Sequence, residues 1–193
     1  CNKDIEWMHC ETSVDPDGSW MQSWRALERA YAEGRVQSIG VSNFNVELLN
    51  ELMVFATIKP HIVQNYAAIG VEEGDGLALD LEVRGWCEAH NVVYQPYAQT
   101  RNLKDKGAVA RLPRYSNKKP VDRAIDEAAH NHSKTRHAVV LRFFFDTGAS
   151  LIPRASQAKH LWANLATNEW SLTRDEMQAL GWNAPDSVGP SRP

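Results

Sequence analysis

Several common function classes are missing from this 193-residue chain, and their absence narrows the field. Cysteine is scarce: Cys1, Cys10 and Cys87 are scattered, odd in number and without metal-ligand spacing. This excludes a disulfide framework and fits a reducing compartment with buried or incidental thiols. No apolar run reaches the roughly 18 residues that a spanning helix needs. Basic residues number 21 against 24 acidic ones, a balance that gives no support to a nucleic-acid partner. No GxGxxG follows a strand-like run, and no loop has P-loop spacing, which argues against a doubly wound nucleotide-binding sheet. No solenoid-type repeat is evident. The first residue is Cys1 rather than methionine, so a missing true N-terminus is expected and the lack of a targeting segment says little. The expectation is an intracellular protein of unknown organelle. What remains is an ordinary globular composition, 43% hydrophobic, long enough for one domain with a substantial core.

Hydrophobic periodicity then alternates between strand and helix. Asp4 to His9 reads as a short strand. Ser19 to Ala32 places Trp20, Trp24, Leu27 and Tyr31 near helical spacing, with Gly34 as a stop signal. Val36 to Val41 reads as a second strand, and Asn45 can cap a helix with Leu49, Leu52, Met53 and Ala56 inward. Lys59-Pro60 breaks that helix before a very short strand, Ile62 to Gln64. Gly70 to Gly76 reads as a loop. Leu79 to His90 is a helix with Val83, Trp86, Cys87 and His90 on one side, Asn91 its C-cap, and Val92 to Tyr94 a fourth strand. A long polar loop, Gln99 to Lys119, precedes a helix with Pro120 in its first turn and Val121, Ile125, Ala128 and Ala129 inward.

The run AVVLRFFF (138–145) suits a buried strand or a buried helix by periodicity alone. Beyond Gly148, ASLI (149–152) ends at Pro153 and reads as a strand, which favours helix for the run before it. Gln157 to Leu165 is a short helix. Thr173 with Glu176 three residues later fits a capping box opening a last helix through Leu180. Residues 183–193, with three prolines, form a separate tail after a domain of residues 1–182. Strand and helix alternate five times, which argues for a parallel sheet with right-handed crossovers.

Polar residues close these strands: His9, Ser42 with Asn43, Gln64, Tyr94 and Arg154. In a barrel of parallel strands such ends converge on one pocket. His9 can hydrogen-bond a carbonyl and developing negative charge, or be a partly buried histidine satisfied by backbone. Ser42, Asn43 and Gln64 can match a planar carboxamide, which needs both donors and acceptors; helix capping by Asn43 or Asn45 is the bland alternative. Tyr94 offers a ring for stacking or an inward aromatic for packing. Arg154 suits a phosphate. The loop 101–119 holds seven basic residues against Asp105, which suits a pyrophosphate, open solvent or an acidic partner. His130, His132 and His137 have no usual metal-ligand spacing and read as a polar helix end. The seven tryptophans read mostly as core.

In order along the chain, DIEWMHC, GRVQSIGVSNFN, PHIVQN, VVYQPYA, SLIPRAS, HLWANL and LTRDEMQAL resemble the aldo/keto reductase family, from Asp4 to about Leu180. GRVQSIGVSNFN, similar to the family's fifth-strand signature, is the most specific of these. The resemblance implies a (β/α)8 TIM barrel of the family's type. It is expected to be incomplete here, with about five β/α units supplying strands four to eight, since a full barrel takes about 250 residues. It also implies hydride transfer from NADP(H) to a small carbonyl substrate. His9 would be the catalytic histidine, whereas the family's Asp, Tyr and Lys precede the fourth strand. Ser42, Asn43 and Gln64 would hold the nicotinamide amide and Tyr94 would stack on its ring. Arg154 would meet the adenosine 2′-phosphate, and Asn164 would lie near the adenine.

This chain departs from the family pattern at several positions. Cys10-Glu11 follows His9, and Gln95 stands where a phosphate-touching serine is common. Ala155 replaces a hydroxyl residue and His160 an arginine. These departures and the basic loop leave a second reading open, a non-catalytic member of a protein complex whose partner covers the open barrel edges.

Overall fold

The computed structural model describes residues 19–69, 79–103 and 119–182. Among these residues the elements are α1 (Ser19–Ala32), β1 (Gly40–Ser42), α2 (Val46–Phe55), β2 (Ile62–Tyr66), α3 (Leu81–Ala89), β3 (Val93–Tyr97), α4 (Lys119–Asn131), α5 (Arg136–Asp146), α6 (Ala158–Leu165) and α7 (Arg174–Ala179). Short 3-10 turns follow at Arg101–Leu103 and Ala166–Glu169. No described helix is long and apolar enough to cross a membrane.

The strands form a parallel sheet in the order β1-β2-β3, with Ser42 opposite Gln64 and Gln64 opposite Gln95. Helices connect them, as parallel pairing requires. Gly40 has a steric reason to be glycine, because a Cβ there would sit 2.3 Å from the Ile62 carbonyl oxygen. One sheet face is covered: Val63, Asn65, Tyr94 and Pro96 are buried. Val63 and Tyr94 join Val83, Trp86 and Cys87 of α3, Ile125 and Ala128 of α4, and Val139, Val140, Phe143 and Phe144 of α5 in the main core. A smaller cluster packs Trp24 of α1 on Ile39, Leu52 and Ala56. The alternate positions Ile62, Gln64, Tyr66, Gln95 and Tyr97 are only half buried, and Val93 is 45% exposed. Two faces of different burial follow from the period of two along each strand.

Residue choice explains the helices. α1 starts and ends where its periodicity predicts. Leu27 is 39% exposed, however, and Glu28 takes the buried place. The Glu28 carboxylate accepts the N–H groups of Thr57 (2.7 Å) and Ile58 (2.8 Å) beyond α2, and Arg25 donates to it at 2.7 Å. Burial pushes this carboxyl up, but the Ile58 N–H, Arg25 and the Thr57 N–H outweigh it and hold the pKa below its ordinary value. Asn45 caps α2 by accepting from Leu48 N–H at 2.9 Å, and Leu49 and Leu52 are its buried residues. Thr173 and Glu176 form the expected capping box on α7. The AVVLRFFF run is helical within α5, capped by Thr135, with Val139 to Phe144 buried.

Other expectations need correction. The sequence predicts five strands, but three form among the described residues. The expected strand Asp4 to His9 lies outside them, as do the loop 70–76, loop residues 104–118 and the tail 183–193. At 149–152, Ser150 N–H donates to the Tyr94 carbonyl at 2.9 Å, but no strand ladder forms. Gly148 turns the chain at φ +80°, and Pro153 has no N–H to extend a ladder. The C-cap of α3 is His90, and Asn91 follows it with φ +55°. His90 is exposed rather than inward, with its ring stacked on Trp86 at 4.0 Å. The described tryptophans are mostly buried or half-buried, as expected, with Trp162 on α6 the exception at 71% exposed.

Candidate active site

The half-buried sheet face carries the candidate site at the C-terminal ends of its strands. Ser42 ends β1 and is exposed. Asn43 follows with φ +61°, a left-handed conformation that asparagine tolerates better than most residues. Its N–H still donates to the Gln64 carbonyl at 3.1 Å, so the turn stays tied to β2. Asn65, one residue past Gln64, faces the helices and donates to the Phe44 carbonyl at 2.8 Å, holding the chain just after Asn43.

Two side-chain connections cross this face. Gln64 Nε2 donates to Gln95 Oε1 at 2.8 Å, and Gln95 Nε2 donates to Ser150 Oγ at 3.3 Å. The Tyr97 hydroxyl donates to Asn43 Oδ1 at 2.8 Å, and the Tyr97 ring meets Tyr66 edge-on at 5.8 Å. Burial pushes the Tyr97 phenol up, against a smaller opposing effect of the Arg101 charge, so it remains a donor near neutral pH. Ala98, immediately after, takes φ +62°, which costs a residue with a Cβ about 1–2 kcal/mol and turns the chain away from the strand end. The combined result is a patch of carboxamide, hydroxyl and aromatic groups from β1, β2, β3 and the 149–153 segment.

Tyr94 is not part of this patch, which corrects the expectation that its ring faces the site. It is 6% exposed on the helix side, and its hydroxyl donates to Asp80 Oδ2 at 2.9 Å. Asp80 precedes α3 in a left-handed conformation. Burial raises the Asp80 carboxyl pKa, partly offset by the Tyr94 and Asn65 hydrogen bonds and the Arg84 charge. The Arg84 guanidinium lies 5.3 Å from the Tyr94 ring centroid and 4.5 Å from that of Trp182, and it donates to the Thr147 carbonyl at 3.1 Å. Beside it the Cys87 thiol is pushed up to about 12 by burial, which makes it an inert core thiol. The Tyr94 neighbourhood is thus a closed polar core.

Sequence reasoning does not assign Tyr97 or Gln95 to the site, although they share strand parity with each other and face Gln64. Arg154 lies beyond Pro153 and is exposed; Asn164 sits on α6, half buried. Among the described residues, no side-chain hydrogen bond joins either of them to the carboxamide cluster. His9 and basic-loop residues 104–118 lie outside the described residues. Among the histidines of HNHSKTRH, His132 Nε2 lies 2.8 Å from Glu176 Oε2, and its ring lies 5.0 Å from Trp170, a helix-end contact. The described residues contain no group of three or more His, Cys, Asp or Glu side chains able to hold a metal.

Comparisons with known proteins agree with the α/β fold. The chain is 27% identical over 175 residues to the uncharacterized oxidoreductase YtbE of Bacillus subtilis, covering 90% of this chain and 55% of that protein. It is 30% identical over 165 residues to the NAD(P)H-dependent D-xylose reductase of Pachysolen tannophilus, covering 83% and 48%. Among solved structures, a point mutant of Gox0644 in complex with NADPH superposes with a TM-score of 0.65 at 28% identity, covering 84% of this chain and 52% of that one. The thermostable aldo-keto reductase Tm1743 gives a TM-score of 0.69 at 23% identity, covering 91% and 57%, which speaks to the fold alone. The chain spans about half the length of the curated relatives it matches. A model of the aldo/keto reductase family matches residues 4–181, nearly the whole of the chain. On that match the chain belongs to the aldo/keto reductase family.

Proposed function

We propose that this chain supplies the nicotinamide-binding part of an NADP(H)-dependent reductase that converts a small carbonyl substrate to an alcohol. The observation that carries the reading is that Asn43 and Gln64, tied by the bond from the Asn43 N–H to the Gln64 carbonyl, each have a side-chain amide held by a β3 residue, Tyr97 and Gln95 respectively. A nicotinamide carboxamide presents one acceptor and two donors in a plane, and two fixed side-chain amides complement it. The donor set therefore fits the group. Asn43 and Gln64 would hold the carboxamide, with Ser42 exposed beside them. Tyr97, rather than Tyr94, would provide the aromatic surface. When bound, the dinucleotide supplies the hydride.

Arg154 is exposed, and a guanidinium suits a 2′-phosphate, which favours NADP(H) over NAD(H). Asn164 would contact the adenine end. His9 would hydrogen-bond the carbonyl oxygen as negative charge develops. The relatives' names support the reading: one is an NAD(P)H-dependent D-xylose reductase and another a glyoxal reductase.

The test is titration of the protein encoded by the complete gene with NADPH and NADH, followed by cofactor or tryptophan fluorescence. Tight NADPH binding is expected. Gln64→Leu should weaken it by about tenfold or more, the cost of an unpaired amide. Arg154→Ala should weaken NADPH by a similar factor and leave NADH unchanged. Absence of binding to either dinucleotide overturns the reading.

A further inference from the structure

The Gln64 side chain does not stand alone on its strand. Its Nε2 donates to Gln95 at the directly facing position of β3, and Gln95 in turn donates to Ser150. One Gln64 hydrogen is thereby consumed, and Oε1 is left to accept. Asn43 is set the opposite way: Tyr97 donates to its Oδ1, which leaves Nδ2 to donate. The two amides therefore present opposite polarity across the same face. A free glutamine amide can rotate by half a turn and exchange its donor and acceptor ends at little cost. In this chain that turn is coupled to Gln95: if Gln64 turned alone, two amide oxygens would face each other across the strands.

We propose that Gln95, anchored by Ser150, is a positioning residue that fixes the acceptor end of Gln64 toward a bound nicotinamide carboxamide. The inference deepens the cofactor reading above and rests on it. Gln95 itself need not touch the ligand. Its contribution is to keep Gln64 from turning its donor end toward the carboxamide NH2, a clash of like polarity that would cost a hydrogen bond and strand a donor.

The experiment uses the protein encoded by the complete gene and two probes, NADP+ and 2′,5′-ADP, which keeps the phosphorylated adenosine but has no nicotinamide. Gln95→Leu is expected to weaken NADP+ by about tenfold while leaving 2′,5′-ADP within about twofold. Gln95→Glu keeps an acceptor for Gln64, and the Ser150 hydroxyl can turn to donate, so NADP+ affinity should stay within about threefold of wild type. If Gln95→Leu does not fold, Ser150→Ala reads the same chain, with a loss of about threefold for NADP+ alone. Unchanged NADP+ binding in the variant that is read, or an equal fall for both probes, overturns the positioning role while the cofactor reading stands. Wild-type protein that binds neither probe overturns both.

Discussion

Tyr94 and Tyr97 stand three residues apart on β3, and an odd spacing in an extended strand puts them on opposite faces. The two phenols consequently do different work. Tyr94→Phe removes the donor to Asp80 in a closed core, where an acceptor left short of partners is costly. The expected result is a loss of about 1–3 kcal/mol in urea unfolding, with nicotinamide-nucleotide affinity unchanged. Tyr97→Phe keeps the ring but frees the Asn43 amide to turn. Stability should hold within about 0.5 kcal/mol, and affinity for NADPH should fall by about three- to tenfold in a fluorescence titration. A swap of the two outcomes overturns the assignment of faces. At this scale the sequence was only partly legible. Asn43 lies just past the end of β1, while Gln64 lies within β2, which runs on to Tyr66. In VVYQPY, however, both parities carry polar or aromatic residues, so alternation alone does not say which points at the site. The signal that does is register, since Gln64 pairs with Gln95 rather than with Tyr94. Register is a property of two strands together and is not written in either one.

Helices were the most legible elements, because capping is local chemistry. Asn45, Thr135 and the Thr173–Glu176 box each satisfy a helix N-terminus from within a few residues. The box also reaches across the fold. Glu176 accepts from Thr173 N–H at 2.9 Å and pairs with His132 at 2.8 Å, and Asn131 donates to it at 3.3 Å, which joins α7 to the end of α4. Burial works to raise its carboxyl, but the His132 contact and the hydrogen bonds from Thr173 and Asn131 outweigh it and lower the pKa from 4.5 to about 2. A carboxylate depressed in the folded state lends stability above its unfolded pKa and loses it as pH falls toward the folded value. The Glu176 contribution should therefore be complete above about pH 5 and fade between roughly 4.5 and 2. Thermal melts of Glu176→Gln should show a lower Tm than wild type at pH 7, and the gap should narrow across that acid window. A gap independent of pH would mean that the charge contributes nothing. Strands were read less well, because their limits depend on neighbours. The expected 149–152 strand gives one bond to Tyr94 and stops before Pro153, whereas β2 and β3 run to Tyr66 and Tyr97, past their expected ends.

At the scale of the molecule, the family motifs succeed one another in barrel order, which made the family legible from residues alone. Closure was not legible, because it depends on the number, tilt and stagger of strands jointly. The described sheet has three strands, and its uncovered face exposes Val93 at 45%, with Ile152 of the adjoining segment 40% exposed. This is the face that carries Asn43, Gln64 and Tyr97, so the groups proposed to hold the nicotinamide border an apolar surface left open to water among the described residues. Hydride transfer to a carbonyl also needs a proton for the forming alkoxide. In the family that donor is a tyrosine beside a lysine, both before the fourth strand. On the described face Tyr97 is poorly suited to replace it, since its hydroxyl already donates to Asn43 and burial pushes its pKa up. A polypeptide limited to these 193 residues is therefore expected to show no NADPH-dependent carbonyl reduction, assayed as loss of NADPH absorbance with aldehyde substrates. Co-expression with the family's first three strands should restore turnover if the two parts reassemble. Turnover well above background from the pure 193-residue polypeptide would sink the prediction, and it would mean that the proton donor lies within this chain.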